Sequence, residues 1–182
     1  RRAKARGVRV SCETAPHYLA LCEIDMMEDG RFKMNPPLRS SADRDALIAG
    51  LNDGTIDAIA TDHAPHSPEE KSKGLEHSAM GISGLETAFP VLYTYLVMSG
   101  KVSLQRILEA LTSSPRKAFG LPPVLEEGAA ADIAIIDTRT EFTIDSSRFL
   151  SLGHSTPFEG KRVQGKVLMT LKDGVAVWKD NN

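Results

Sequence analysis

Cysteine is scarce in this chain: Cys12 and Cys22 are its two thiols, and their spacing fits no zinc-binding pattern. That excludes a disulfide-stapled scaffold and points to two buried thiols in a reducing compartment. No sign of charge dominates either. Lys and Arg number 22 against 24 Asp and Glu, for a net charge of −2. Such a balance indicates neither a nucleic-acid surface nor an acidic disordered tail. No apolar run reaches the roughly 18 residues that a membrane span needs. A basic n-region followed by an apolar h-region is missing, as are internal repeats and low-complexity tracts. The expectation is a soluble, cytoplasmic protein with no nucleic-acid or membrane partner. What is present is 182 residues that are 41% hydrophobic, enough to bury a substantial core.

The chain opens RRAKARGVRV, without Met. Arg1 to Arg6 read as the last turns of a helix, with basic residues near its C-terminus and Gly7 as the stop. The expectation is therefore a fragment of a longer protein. VRVSCE (8–13) reads as a first strand, and PHYLALCEI as a short helix begun by Pro16 at its first position. FKMN runs into Pro36-Pro37, which ends any regular element. Ser40 or Ser41 can cap the next helix, with Ala46, Leu47, Ile48 and Leu51 as its apolar stripe and Gly54 as its end. IDAIAT (56–61) reads as a strand buried on both faces, and 62–80 as one long loop.

Two helices are expected next: SGLETAFPVLYTYLVMSG, kinked but not abolished by Pro90, and SLQRILEALTSSPRKAFG, capped by Ser103. Leu104, Ile107, Leu108 and Leu111 should share one face of the second. After LPPVLEEG the pattern changes. ADIAIID, EFTID and KVLMTLKDGVAVWK read as strands, the last split into a hairpin by Asp173-Gly174. Strand–helix alternation to residue 122, then an all-β segment over 123–182, is the expected division.

Chemistry is concentrated in residues 59–71, IATDHAPHSPEEK. In parallel α/β folds the reacting groups stand where strands end. Asp62 is at such a place, and its carboxylate can bind a metal ion, act as a general base, or do both. His63 and His66 can bind anionic or carbonyl groups of a ligand. A plainer alternative is that Asp62 caps the loop and both imidazoles hydrogen-bond backbone. The stretch alone does not make a metal site, which needs three or four protein ligands.

The stretches CETAPHYLAL, MNPPLRSSADRDALIAGLNDGTIDAIATDHAPHSPEEK, AMGISGLETAFPVL and STPFEGKRVQGKVLMTLKDG together resemble the dihydroorotase family of the amidohydrolase superfamily. The resemblance implies an α/β fold: the C-terminal part of a (β/α)₈ TIM barrel, with strands 7 and 8 at 8–13 and 56–61, followed by part of a small β-sandwich. It implies reversible opening of the cyclic amide of L-dihydroorotate to N-carbamoyl-L-aspartate, a step of pyrimidine synthesis. A zinc centre, one or two ions per full-length subunit, would polarise the ring amide carbonyl. Asp62 matches the strand-8 aspartate, at once metal ligand and catalytic proton carrier. Asn35 in NPPLRS matches a substrate-binding asparagine whose amide both donates and accepts. His66 matches a contact to the substrate's carboxylate. Gly81, with Met80 before it, matches a loop position whose backbone touches substrate, where the missing Cβ permits close approach.

The family's metal-binding histidines and bridging residue fall on earlier strands, outside this sequence. His17 in TAPHYL is accordingly read as a structural or supporting residue, His63 is given no direct role, and His77 and His154 are read as loop residues. A polypeptide with one ligand of the metal set is not expected to turn over substrate alone. The resemblance also implies a homo-oligomer, with aspartate transcarbamoylase as a candidate partner. Its rivals are allantoinase and the dihydropyrimidinase or hydantoinase group, which share barrel and chemistry, and a non-catalytic dihydroorotase-like subunit that scaffolds aspartate transcarbamoylase.

Overall fold

A computed structural model describes residues 1–122 and 125–180. The boundary expected between 122 and 123 abuts residues outside that description. The described chain opens with a one-turn helix α1 (Arg2–Ala5), closed by Gly7 at φ 74°. Strand β1 (Glu13–Thr14) pairs in parallel with β2 (Ala58–Ile59), in the register Glu13 to Ala58 and Thr14 to Ile59. Between them run α2 (Pro16–Ala20), with Pro16 at its first position, and α3 (Ser41–Asn52). Ser40 caps α3 in the expected way: its hydroxyl accepts the Asp43 N–H at 3.2 Å while the Asp43 carboxylate reaches back to the Ser40 N–H.

The first expected strand is shorter than its sequence suggests. Residues 8–12 form no regular strand, and Val8 and Val10 are exposed. Among the described residues these positions have no neighbouring strand, and an extended segment without a partner leaves its N–H and C=O groups to water. Ladder bonds begin only at Cys12, whose carbonyl accepts from Asp57 N–H at 2.9 Å. Cys12 is likewise exposed, contrary to the expectation of two buried thiols; Cys22 is buried.

The stretch 62–80 is not one irregular loop. It contains two single-turn helices, α4 (Pro68–Lys71) and α5 (Gly74–His77), too short to show a 3.6-residue period. Ser67 caps α4, with Glu70 closing the reciprocal bond. Next come α6 (Ala88–Leu92) and one turn of π-helix (Tyr93–Val97). Pro90 lies in the first turn of α6, where the N–H it lacks would have had no intrahelical acceptor.

The last long helix is broken. α7 (Leu104–Leu111), capped by Ser103, stops at Thr112, whose φ −129° and ψ −80° are not helical, and α8 (Ser113–Ala118) restarts beyond it. Of the four residues assigned to the buried face of α7, Ile107 is buried and Leu108 is exposed. An antiparallel sheet follows, ordered β3 (Ile133–Thr143), β4 (Arg162–Lys172), β5 (Val175–Lys179). The two expected strands ADIAIID and EFTID fuse into β3, with the mismatch absorbed by a bulge between Asp137 and Glu141. Asp173 and Gly174 turn the β4–β5 hairpin at positive φ, 51° and 79°.

Two apolar clusters hold this together. One gathers Leu19, Ile48, Leu51, Leu92, Leu96 and Ile107 from the helical segments with Ile56 and Ile59 at β2. The other joins Leu21, Phe32, Met34, Ile82 and Val91 to Ile144, Phe158 and Val163 of the C-terminal segment. Helices α2 and α6 feed both clusters, because successive residues on a helix point about 100° apart. The Arg106 guanidinium of α7 donates to the Leu51 carbonyl at 2.7 Å and the Ile56 carbonyl at 2.6 Å. It thereby ties the end of α3 to the entry of β2.

Candidate active site

Asp62 follows strand β2 by three residues, and the backbone there is unusual. Asp62 has φ 51°, a left-handed conformation that aspartate tolerates better than most residues. This conformation turns the chain sharply out of the strand. The carboxylate is left half exposed, with no hydrogen-bond partner among the described residues. His17 Nε2 stands 4.0 Å from Asp62 Oδ2. His17, in the first turn of α2, is 1% exposed, and its Nε2 has no hydrogen-bond partner. Burial pushes the His17 imidazole down to about 4, so it is neutral near pH 7.

Tyr18 lies against this pair. Its ring is 4.0 Å from the His17 ring, and its hydroxyl donates to the Pro36 carbonyl at 2.7 Å. Burial, with the Asp62 charge adding to it, pushes the phenol up to about 12. Through Tyr18 the Asn35–Pro36 segment is therefore anchored beside the strand end. Asn35 itself is exposed. Sequence reasoning passed over Tyr18; the signal available was its place directly after His17 in TAPHYL.

The other predicted contacts lie on the segments that follow Asp62. His66 Nε2 stands 3.0 Å from the Met80 carbonyl, and its Nδ1 is 3.7 Å from the Glu70 carboxylate. Gly81 has φ 138°, and a Cβ there would come within 2.6 Å of the Ala64 Cβ and 2.7 Å of the Ala64 carbonyl. Among the described residues, then, the space Gly81 leaves open is filled by the DHAPH segment itself. From behind, Gly153 approaches so closely that a Cβ would meet the His66 N–H nitrogen at 2.7 Å. His66 also lines a cavity of about 270 Å³ together with Arg31, Pro68, Lys71, Ser72, His154 and Ser155. Of its two cations, Arg31 is paired with Asp29 at 2.8 Å and Lys71 is bonded to main-chain carbonyls, while Glu70 lies beside His66.

His63 has a different job. Its Nδ1 accepts the Gly84 and Leu85 N–H groups at 3.2 Å each, and its Nε2 is 3.2 Å from Ser151 Oγ. One nitrogen holds the segment before α6 and the other meets Ser151, so both are occupied and His63 is not free to bind a ligand. His77 is exposed beside Glu76, and His154 packs near Phe149.

An ion needs more than this chain displays. Among the described residues no group of three or more His, Cys, Asp or Glu side chains could hold a metal. Asp62 does fit as a single ligand: its carboxylate is unpaired, half exposed and braced by a neutral buried imidazole.

The chain matches the model of the amidohydrolase family over residues 1–177. It is 53% identical to a dihydroorotase of Brevibacillus brevis and 52% identical to one of Bacillus cytotoxicus, over 99% and 98% of its length. It spans 43% and 42% of those two relatives. Among solved structures it superposes on the L-hydantoinase (dihydropyrimidinase) of Arthrobacter aurescens with a TM-score of 0.89 at 34% identity. That overlap covers 98% of this chain and 41% of the hydantoinase. The D-hydantoinase (dihydropyrimidinase) of a Thermus species gives a TM-score of 0.84 at 27% identity, over 100% of this chain and 42% of that one.

Proposed function

The chain belongs to the amidohydrolase family, and on that footing we propose that it supplies one wall of a dihydroorotase active site. In this reading β1 and β2 are strands 7 and 8 of a (β/α)₈ barrel, residues 1–122 complete the barrel's last part, and 123–182 contribute to a small β-sandwich. The reaction is the reversible opening of the cyclic amide of dihydroorotate to carbamoyl aspartate. The observation that carries it is the identity of 52–53% with dihydroorotases across nearly the whole chain. The fold alone does not separate this from hydantoin opening, because hydantoinases share it at TM-scores up to 0.89. Hydantoinase or dihydropyrimidinase activity is therefore the second reading.

Within that reading each side chain has a task. Asp62 takes a proton from the attacking water and returns it to the leaving ring nitrogen. Its left-handed backbone turns the carboxylate out of the strand, and the neutral His17 ring behind it blocks water from that side. Asn35, held near the strand end through the Tyr18–Pro36 bond, offers an amide that pairs with both donor and acceptor edges of the ring. His66 receives the substrate's carboxylate side, and the backbone at Met80–Gly81 lies against the substrate. Asp62 would also serve as one ligand of a zinc centre, whose chemistry when bound is to polarise the ring carbonyl and activate water. The zinc, one or two ions per full-length subunit, rests on family membership, as do a cytoplasmic setting, a homo-oligomer and aspartate transcarbamoylase as a candidate partner.

The test is a comparison of kcat/KM for dihydroorotate, hydantoin, dihydrouracil and allantoin in the full-length protein. The expected order puts dihydroorotate first by at least about two decades, since a site built for a carboxylate rejects ligands that lack one. A preference for hydantoin or dihydrouracil would transfer the assignment to the second reading.

A further inference from the structure

Lys71 is the only lysine or arginine buried among the described residues, at 6% exposure. An ammonium carries three N–H donors and no acceptor. Here all three are received by main-chain carbonyls: Lys33 at 3.0 Å, Ala79 at 2.7 Å and Gly81 at 2.7 Å. No ion pair among the described residues involves it. Asp29 adds only a weak attraction, Lys33 opposes it, and burial pushes the amine down to about 8. A buried charge neutralised by dipoles alone is costlier than an apolar side chain of the same length. Packing by itself therefore does not account for a lysine at this position.

The placement of the three carbonyls does. Lys33 is two residues before Asn35, while Ala79 and Gly81 flank Met80. The Gly81 N–H also donates to the Lys33 carbonyl at 3.0 Å, so the two segments lie side by side. Met80 offers its own carbonyl to His66. Lys71 ends the single turn α4 that Ser67 caps directly after His66, which sets the distance between imidazole and ammonium. One cation thus holds the peptides next to every substrate contact assigned above except Asp62.

We propose that Lys71 is the positioning residue of this site: its ammonium ties segments 33–35 and 79–81 into one unit and so fixes where Asn35, His66 and the Met80–Gly81 peptide meet the ring and carboxylate of the substrate. It touches no substrate and acts through the backbone. The proposal rests on the dihydroorotase reading for the identity of that substrate, but the tie between the segments does not depend on it.

The experiment uses the full-length protein and Lys71→Met, which keeps the chain length and removes the donors. Wild-type turnover of dihydroorotate is measured first. In the variant KM should rise at least about tenfold while kcat changes less than about threefold, the pattern of lost ground-state positioning. Amide exchange at Gly81, which needs no substrate, should accelerate by at least about tenfold in the same variant. An unchanged KM with unchanged exchange in folded Lys71→Met overturns the proposal. If the wild type does not open dihydroorotate, the functional reading has failed, and the exchange rate alone decides the tie. Should Lys71→Met not fold, acetic anhydride labelling of the wild type decides instead. Lys71 should react at least about tenfold more slowly than the neighbouring Lys73, because its nitrogen is buried and must give up a proton, and with it one of three hydrogen bonds, before a lone pair can attack. Equal rates would overturn the proposal.

Discussion

At the scale of single residues, the site divides into groups that face solvent and groups that hold them. Asp62 is of the first kind: its carboxylate is half exposed and without a hydrogen-bond partner among the described residues, which suits the proton-carrier role proposed for it. Asp62→Ala in the full-length protein should lower kcat by about 10²-fold or more, the usual worth of a positioned general base. Steady-state turnover of purified, folded variant checks this. Tyr18 is of the second kind. Its phenol is held neutral by burial and by the Asp62 charge, so its proton is lost near pH 12 rather than near the ordinary value of 10.0. The sign follows directly: a raised folded pKa means that the neutral phenol's contribution to stability is complete below the unfolded value and is lost as pH climbs through the folded one. A difference titration at the phenolate band, wild type minus Tyr18→Phe, should therefore lack a step near 10 and show one near 12. Replacing Asp62 with Asn should move that step toward lower pH. The acid and imidazoles of DHAPH were readable because spacing after a strand is a sequence property. Tyr18 and Lys71 were not, since their roles come from burial and from carbonyls far away in the chain.

At the scale of elements, local signals worked at two places where a bond closes within four residues. The Ser40–Asp43 box at the start of α3 is one such case, and the Asp173-Gly174 hairpin is another. Ser40→Ala should destabilise the folded protein by about 1 kcal/mol, measured by denaturant midpoint, because one N–H of the first turn loses its acceptor. A cost near zero would mean that water satisfies that N–H equally well. Periodicity was less reliable. The single pattern drawn over SLQRILEALTSSPRKAFG runs through Thr112, where the chain leaves helical geometry, and it put Leu108 on the wrong face. Serines and threonines in that stretch compete for backbone groups, as the Thr112 hydroxyl bond to the Leu108 carbonyl at 2.6 Å illustrates. The turns α4 and α5 escaped notice for the opposite reason: four residues cannot display a period of 3.6.

At the scale of the whole molecule, the C-terminal sheet is joined to the strand–helix part by shared burial. Ile144, Phe158 and Val163 lie in one cluster with Leu21, Met34 and Val91, and the Gln164 N–H donates to the Thr94 hydroxyl at 2.8 Å. Phe158→Ala should therefore cost about 3–5 kcal/mol in the full-length protein and lower a single cooperative transition. Calorimetry resolving two separate transitions, with only the later residues' one shifted, would count against that coupling. By itself the sequence determined the alternation of elements, the caps and hairpin, and the family through NPPLRS and DHAPH, and it singled out Asp62 as the proton carrier proposed above, because each depends on neighbours in the chain. Only the tertiary structure decided that Asp62 stands beside an unpartnered buried imidazole, that Gly81 makes room for Ala64, and that a buried ammonium ties Lys33 to Ala79 and Gly81. Those facts depend on which distant backbone groups share a low-dielectric interior, and no spacing along the chain encodes that.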